Sequence, residues 1–228
     1  MRKGIICDVK QLILDLIPPP LPTLDNFVTG RNHEALKTLL DVAAGAAPAK
    51  IIYLWGARSS GKSHLLQSFA KAPDAAGFFA EHAGVLPEMA TCFVIDDVHL
   101  MTEDRQSGIF NLINLINASH ANHLLIASGN AAPRDLGIRR DLASRLGQCL
   151  VFQLCPLSDN EKSSALQAHA QTRGFALRED VIAYLLRHSR RDMASLIGLL
   201  DTLDQYSLET GREITLPLLR EMAQPQLL

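Results

Sequence analysis

Neither half of this chain carries an excess of positive charge, and that removes one large class of function at the outset. Its 228 residues hold 22 Lys/Arg against 24 Asp/Glu, a formal net charge of -2. Residues 1–155 carry 14 of each sign, and residues 156–228 carry 8 Lys/Arg against 10 Asp/Glu. A surface that holds nucleic acid by bulk electrostatics needs clustered lysine and arginine, so no strong direct DNA binding is expected. Cysteine is scarce too. Cys7, Cys92, Cys149 and Cys155 are scattered, with no CxxC pair and no histidine cluster beside them. That spacing argues against a disulfide framework or a structural metal site. Three of the four fall in apolar runs, where a thiol behaves as a small buried hydrophobe. The first ten residues hold no signal-peptide core, because Ile5–Cys7 is short and is followed by Asp8 and Lys10. No apolar stretch approaches the roughly 20 residues of a membrane span. A cytoplasmic protein with no membrane partner is expected. Internal repeats and low-complexity tracts are missing as well.

What is present is an ordinary folded composition, 47% apolar and 20% charged, in a chain long enough for one sizeable core and a smaller second domain. An apolar stretch, Gln11 to Ile17, precedes the proline run Pro18-Pro-Pro-Leu-Pro22. Such a run is neither helix nor central strand and reads as a polyproline-type spacer. After it, Asn32 can cap a helix through Leu36 and Leu40. Lys50–Trp55, Ala76–Ala80, Thr91–Ile95, His123–Ala127 and Cys149–Gln153 read as strands. They alternate with helical stretches, and the middle ones are apolar throughout, which is the pattern of a parallel sheet covered on both faces. From Ser158 the period becomes helical, with Glu161 three residues on as a capping box. Helices are expected to about Arg173, over about 179–188 and 191–208, and once more after Pro217. The expected fold is α/β: a parallel five-stranded sheet covered by helices, then a small helical domain. The divisions fall at 1–22, 23–156 and 157–228.

Gly56-Ala57-Arg58-Ser59-Ser60-Gly61-Lys62-Ser63 fits G-x-x-x-x-G-K-[ST] at every fixed position. It follows a strand and opens a helix, the context in which such a loop cradles phosphates with backbone N–H groups and a helix N-terminus. Lys62 is then placed to reach the terminal phosphates, and the Ser63 hydroxyl to bind Mg²⁺. The expected ligand is ADP or ATP. Asp96 and Asp97 close an apolar strand, where Asp96 orients the metal shell and Asp97 polarises an attacking water; a helix N-cap is the plainer reading. Asn130, after the fourth strand, reads either as a phosphate or water contact or as a turn-forming residue. Arg145 reads either as an arginine acting in trans on a neighbour's nucleotide or as a surface salt bridge. Arg191 can lie back over the phosphates or simply mark a charged helix end. Gln11, Leu12, Leu14 and Leu16 read as a peptide that docks in a partner's groove, or as an extra strand on the protein's own sheet.

Together, the P-loop with His64-Leu65 after it, the Ile95-Asp96-Asp97 end, Leu142-Ala-Ser-Arg145-Leu and the Leu154–Asp159 junction resemble the AAA+ core of the bacterial replication initiator DnaA. The resemblance runs from about Phe27 to Leu219. Past the lid DnaA has a DNA-binding domain, whereas this chain stops at Leu228. The whole is similar to the DnaA-related AAA+ regulators that lack that domain and inactivate DnaA. The resemblance implies a nucleotide-bound protein, with ADP favoured, whose Gln11–Leu16 peptide docks on the DNA-loaded sliding clamp of DNA polymerase III. It would then promote hydrolysis of DnaA-bound ATP in trans, with weak or no turnover of its own, and so prevent re-initiation. Arg145 takes the arginine-finger position, Asn130 sensor 1 and Arg191 sensor 2, while Phe27, Val28 and Asn32 border the adenine pocket. A homodimer or higher oligomer is left open. The competing expectation is an autonomous ATPase, such as a helicase loader of the DnaC kind.

Overall fold

The computed structural model describes residues 21–46, 50–70, 75–76, 92–119 and 123–222. The chain divides into two compact units between Leu157 and Ser158.

The first unit is built on a sheet of β1 (Ile51–Trp55), β2 (Ala75–Ala76), β3 (Cys92–Ile95), β4 (Leu124–Gly129) and β5 (Leu150–Gln153). All pairs are parallel and the order is β2-β3-β4-β1-β5. Four strands are four to six residues long, and β2 contributes two residues at one edge. The expected second strand, 76–80, is represented only by its start, since 77–80 lie outside the described residues.

Successive side chains of a strand point to opposite faces, and β1 shows the result. Ile51 and Tyr53 join Phe93, Ile95, Leu125 and Ala127 under α3 (Glu103–Ala118) and α4 (Arg140–Gly147). Ile52 and Leu54 turn the other way, to Ile126 and to α1 (His33–Ala43) and α2 (Lys62–Ala70). A strand buried on both faces has no polar alternation, which is why these runs read as continuous apolar stretches.

Two expectations change. The helix after the P-loop begins at Lys62 rather than His64. Asn32 stands at the head of α1 but makes no side-chain cap. Its side-chain amide donates to the Cys155 carbonyl (3.0 Å), and its Oδ1 accepts from the Cys155 N–H (2.8 Å). A distant peptide thus outcompetes the local orphan N–H groups for this side chain.

Tyr53 is fully buried and its hydroxyl donates to the Ala131 carbonyl (2.9 Å). Burial and the nearby Asp97 push its pKa up, so it stays neutral. The hydroxyl passes so close to Gly129 that a Cβ there would lie 2.0 Å from it. Gly129→Ala is therefore expected to cost about 1–3 kcal/mol by overpacking. Calorimetric melting should show a smaller loss for the same change in a Tyr53→Phe background; an equal loss would mean that the hydroxyl is not the obstacle.

The second unit is helical: α5 (Asp159–Thr172), α6 (Glu179–His188), α7 (Met193–Thr210) and α8 (Leu216–Met222). The Ser158–Glu161 capping box forms in full, and Gly174, at φ +86°, ends that helix in a conformation glycine alone takes readily. Asp192 caps α7 through the Ser195 N–H (2.9 Å), so α7 starts at 193 rather than 191. Pro217 sits inside the first turn of α8, not before it, where its missing N–H costs no helical bond. Leu166, Val181, Leu185, Leu196, Leu200 and Leu218 form the core.

Candidate phosphate-binding site

β1 delivers the chain to Gly56 at the C-terminal edge of the sheet, where open α/β sheets place their ligands. Both motif glycines are forced by neighbours. A Cβ on Gly56 would lie 2.3 Å from the Leu154 carbonyl oxygen, and one on Gly61 would lie 2.6 Å from the Phe27 ring. Gly61 also has φ +96°, and Ser59 at the loop apex has φ +60°. A non-glycine residue held in that region marks a loop whose shape is imposed by its surroundings. Ala57, Arg58 and Ser59 are exposed, while Ser60 is buried with its hydroxyl oxygen unpartnered among the described residues. Such an orphan is costly unless something satisfies it.

Lys62 opens α2 and is 8% exposed. Its ammonium donates to the carbonyls of Gly56 (2.8 Å) and Ala57 (3.0 Å). Burial lowers its pKa, against the opposing pull of Asp97 and Asp96. Ser63, next to it, is exposed at the helix head. His64 contacts the Thr23 carbonyl through Nε2 (2.9 Å) and lies 5.5 Å, centroid to centroid, from Phe27. Val28, beside Phe27, is half-buried.

The acidic pair sits two strands away, with β4 between β3 and β1. Asp96 accepts a short hydrogen bond from the Ser128 hydroxyl, and that hydroxyl accepts from the Asp97 N–H (3.0 Å). Asp97 is held at φ 50°, in the left-handed region, and does not cap the 3₁₀ turn that follows. The plainer N-cap reading of this pair therefore fails at Asp97. Asp97 Oδ1 lies 3.9 Å from His99 Nδ1. Ser128 escaped the sequence reading, although a lone hydroxyl closing the apolar run of β4 was its signal. Trp55 pairs with Gly129 in register, so Gly56 and Asn130 leave the sheet side by side. The sheet thus brings the P-loop, Asp96, Asp97 and exposed Asn130 to one edge.

Arg145, on α4, is half-buried, and its guanidinium lies 5.8 Å from the Phe110 ring centroid. Among the described residues it makes no ion pair, so the surface-salt-bridge reading does not hold. Arg139 is the paired arginine there, on Asp141 (2.6 Å). In the helical unit, exposed Arg191 donates to both carboxylate oxygens of Asp159 (2.8 and 3.0 Å). Gln11, Leu12, Leu14 and Leu16 lie outside the described residues. Among the described residues there is no cluster of three or more His, Cys, Asp or Glu able to hold a metal, and no helix long and apolar enough to cross a membrane.

The family model described as "Hda, lid domain" matches residues 159–223. Domain III of the Thermotoga maritima replication initiation protein DnaA superposes with a TM-score of 0.66 at 23% identity, covering 91% of this chain and all of that one. The helical unit thus matches the Hda lid model, and the chain shares the fold of DnaA domain III. DnaA from Aquifex aeolicus, solved bound to AMPPCP, is similar at a TM-score of 0.64 and 21% identity, covering 86% of this chain and 68% of that one. Thermotoga maritima RuvB, another AAA+ fold, matches at 0.60 and 17%, over 88% of this chain and 71% of its own. The lid match spans α5 to α8, and the P-loop lies in the other unit.

Proposed function

We propose that this protein is a nucleotide-bound regulatory inactivator of DnaA, which docks on the DNA-loaded sliding clamp and stimulates hydrolysis of DnaA-bound ATP. The observation that carries the reading is the Hda-type lid at 159–223, joined to a DnaA-like core. The site fits a nucleotide's phosphates. Gly56 and Gly61 leave the cradle clear of side chains, Ser60 offers an unsatisfied hydroxyl, and Lys62 supplies a cation beside the loop carbonyls. ADP, or ATP, would be held by residues 56–64, bordered by Phe27 and Val28. Magnesium, held by Ser63 with Asp96 behind it, would neutralise charge on the phosphate oxygens.

In this reading Ser128 keeps Asp96 and Asp97 in their orientations, and Asn130 meets the terminal-phosphate end of the site. Turnover by the protein itself is weak. The reaction of consequence takes place on DnaA, to which Arg145 presents its guanidinium. A planar, permanently charged fork suits a phosphoryl group in transfer, and a guanidinium resting on Phe110 with no carboxylate partner among the described residues is available for that use.

ATP turnover by the isolated protein tests the reading against an autonomous motor. A regulator should show little hydrolysis alone or with single-stranded DNA; a loader should hydrolyse ATP under both conditions. Clamp docking has its own test. Gln11→Ala with Leu14→Ala should abolish binding to the clamp in a pull-down while ADP affinity and melting temperature stay at parental values. A double variant that melts well below the parent would make this stretch an internal strand.

A further inference from the structure

We propose that Asn32 is a positioning residue for the base side of the nucleotide site: it pins the 23–32 segment to the chain leaving β5, and thereby holds the Phe27 ring against the P-loop. The proposal rests on the nucleotide reading above. Asn32 is 4% exposed, and its amide is committed in both directions to the Cys155 peptide, 123 positions away (2.8 and 3.0 Å). With one N–H and one lone pair committed and the residue buried, this side chain is suited to holding the chain. Its reciprocal bonds imitate one rung of a strand ladder, which fixes the distance and the angle of the two segments together.

The 23–32 segment is stiff between its ends. Thr23 and Asn26 exchange hydrogen bonds (2.9 and 3.2 Å), the Asn32 N–H donates to the Thr29 carbonyl (2.9 Å), and Gly30 turns the chain at φ +50°. One end reaches the P-loop, through Phe27 against Gly61 and Thr23 against His64. The other is Asn32. Cys155 is itself anchored, because the preceding Leu154 donates its N–H to the Trp55 carbonyl (2.7 Å) and lays its own carbonyl against Gly56. Phe27, Asn32, Cys155, Leu154, Gly56 and Gly61 therefore close a ring of contacts around the loop. Breaking the polar link of such a ring lets Phe27 shift relative to Gly61 while β1 and its neighbours stay paired.

Phosphate and base depend on different parts of this ring. The loop and Lys62 carry the groups that suit phosphate. Phe27 has no charge for phosphate but has a flat face of the kind on which bases pack. Loosening Asn32 should thus weaken a ligand that has a base and spare one that does not.

The experiment compares ADP with pyrophosphate in calorimetric titrations of the full chain. Asn32→Asp keeps the acceptor for the Cys155 N–H but sets a carboxylate oxygen against the Cys155 carbonyl. It is expected to weaken ADP by about tenfold and leave pyrophosphate unchanged, a difference read directly from the two dissociation constants. The effect should be non-additive with Phe27→Ala, because both act through one ring. In the parent protein, exchange of the Cys155 amide should slow with ADP and not with pyrophosphate, a readout that does not need the variant to fold. Equal losses for both ligands, additive effects with Phe27→Ala, or equal protection of Cys155 by both ligands would overturn the proposal. A parent that binds ADP, with Asn32→Asp binding it as tightly, overturns the proposal alone. A parent that binds no ADP overturns the nucleotide reading and this proposal with it.

Discussion

Arg145→Ala is expected to remove stimulation of DnaA-bound ATP hydrolysis, a loss of about 10³ to 10⁵ in rate if the residue acts as arginine fingers do elsewhere. The same variant should keep clamp binding and its own nucleotide, because α4 is not part of the phosphate cradle. Its melting temperature should change little. The guanidinium makes no ion pair among the described residues, and the contact with Phe110 is worth only about 0.5–1 kcal/mol at a partly exposed site. Arg145→Lys should not restore stimulation, since an ammonium lacks the planar donor fork. Both variants are read by following hydrolysis of radiolabelled ATP on DnaA. Stimulation that survives in Arg145→Ala would end the trans-acting role.

Lys62→Ala is expected to weaken ADP by about 100-fold or more, measured by calorimetry, because in the proposed reading it removes the buried cation that meets the phosphates. The folded protein should tolerate the change. Lys62 is a buried cation whose charge is disfavoured by desolvation, and its loss removes that cost while freeing two carbonyls, of Gly56 and Ala57. These opposed effects leave a net change of about 1 kcal/mol. Loss of ADP binding with a near-parental melting temperature is therefore the expected pair of results. Unchanged ADP affinity would refute the assignment of this loop.

The strands and the covering helices were readable because their signals are local, whereas the strand order is set by pairing between distant segments. Apolar runs, a glycine-rich loop between strand and helix, and the Ser158–Glu161 spacing each carry their meaning within a few residues. The P-loop was legible for the same reason: its fixed positions fall within eight residues, although the contacts that demand its glycines come from Leu154 and Phe27. What stayed hidden were partnerships between distant residues. Asn32 looked like a helix cap because caps are the commonest use of asparagine before a helix, and nothing near it in the chain announced Cys155. Ser128 was folded into an apolar strand, and its bond to Asp96 depends on β3 and β4 being neighbours in register. The need for glycine at 129 comes from a tyrosine hydroxyl on β1. Arg145 carries no local signal that separates a salt bridge from a trans role, and its place beside the Phe110 ring removes the first. Arg191 shows the opposite case, since its nearest partner is the carboxylate of Asp159 on the same unit.

The central claim is tested most directly by reconstitution. DnaA loaded with radiolabelled ATP is incubated with this protein, with DNA-loaded clamp, with both, and with neither, and the fraction converted to ADP is followed over time. Conversion that accelerates only when the protein and the DNA-loaded clamp are both present is the predicted result. Conversion at the rate of DnaA alone, with all components present and the protein folded and ADP-bound, would contradict the account.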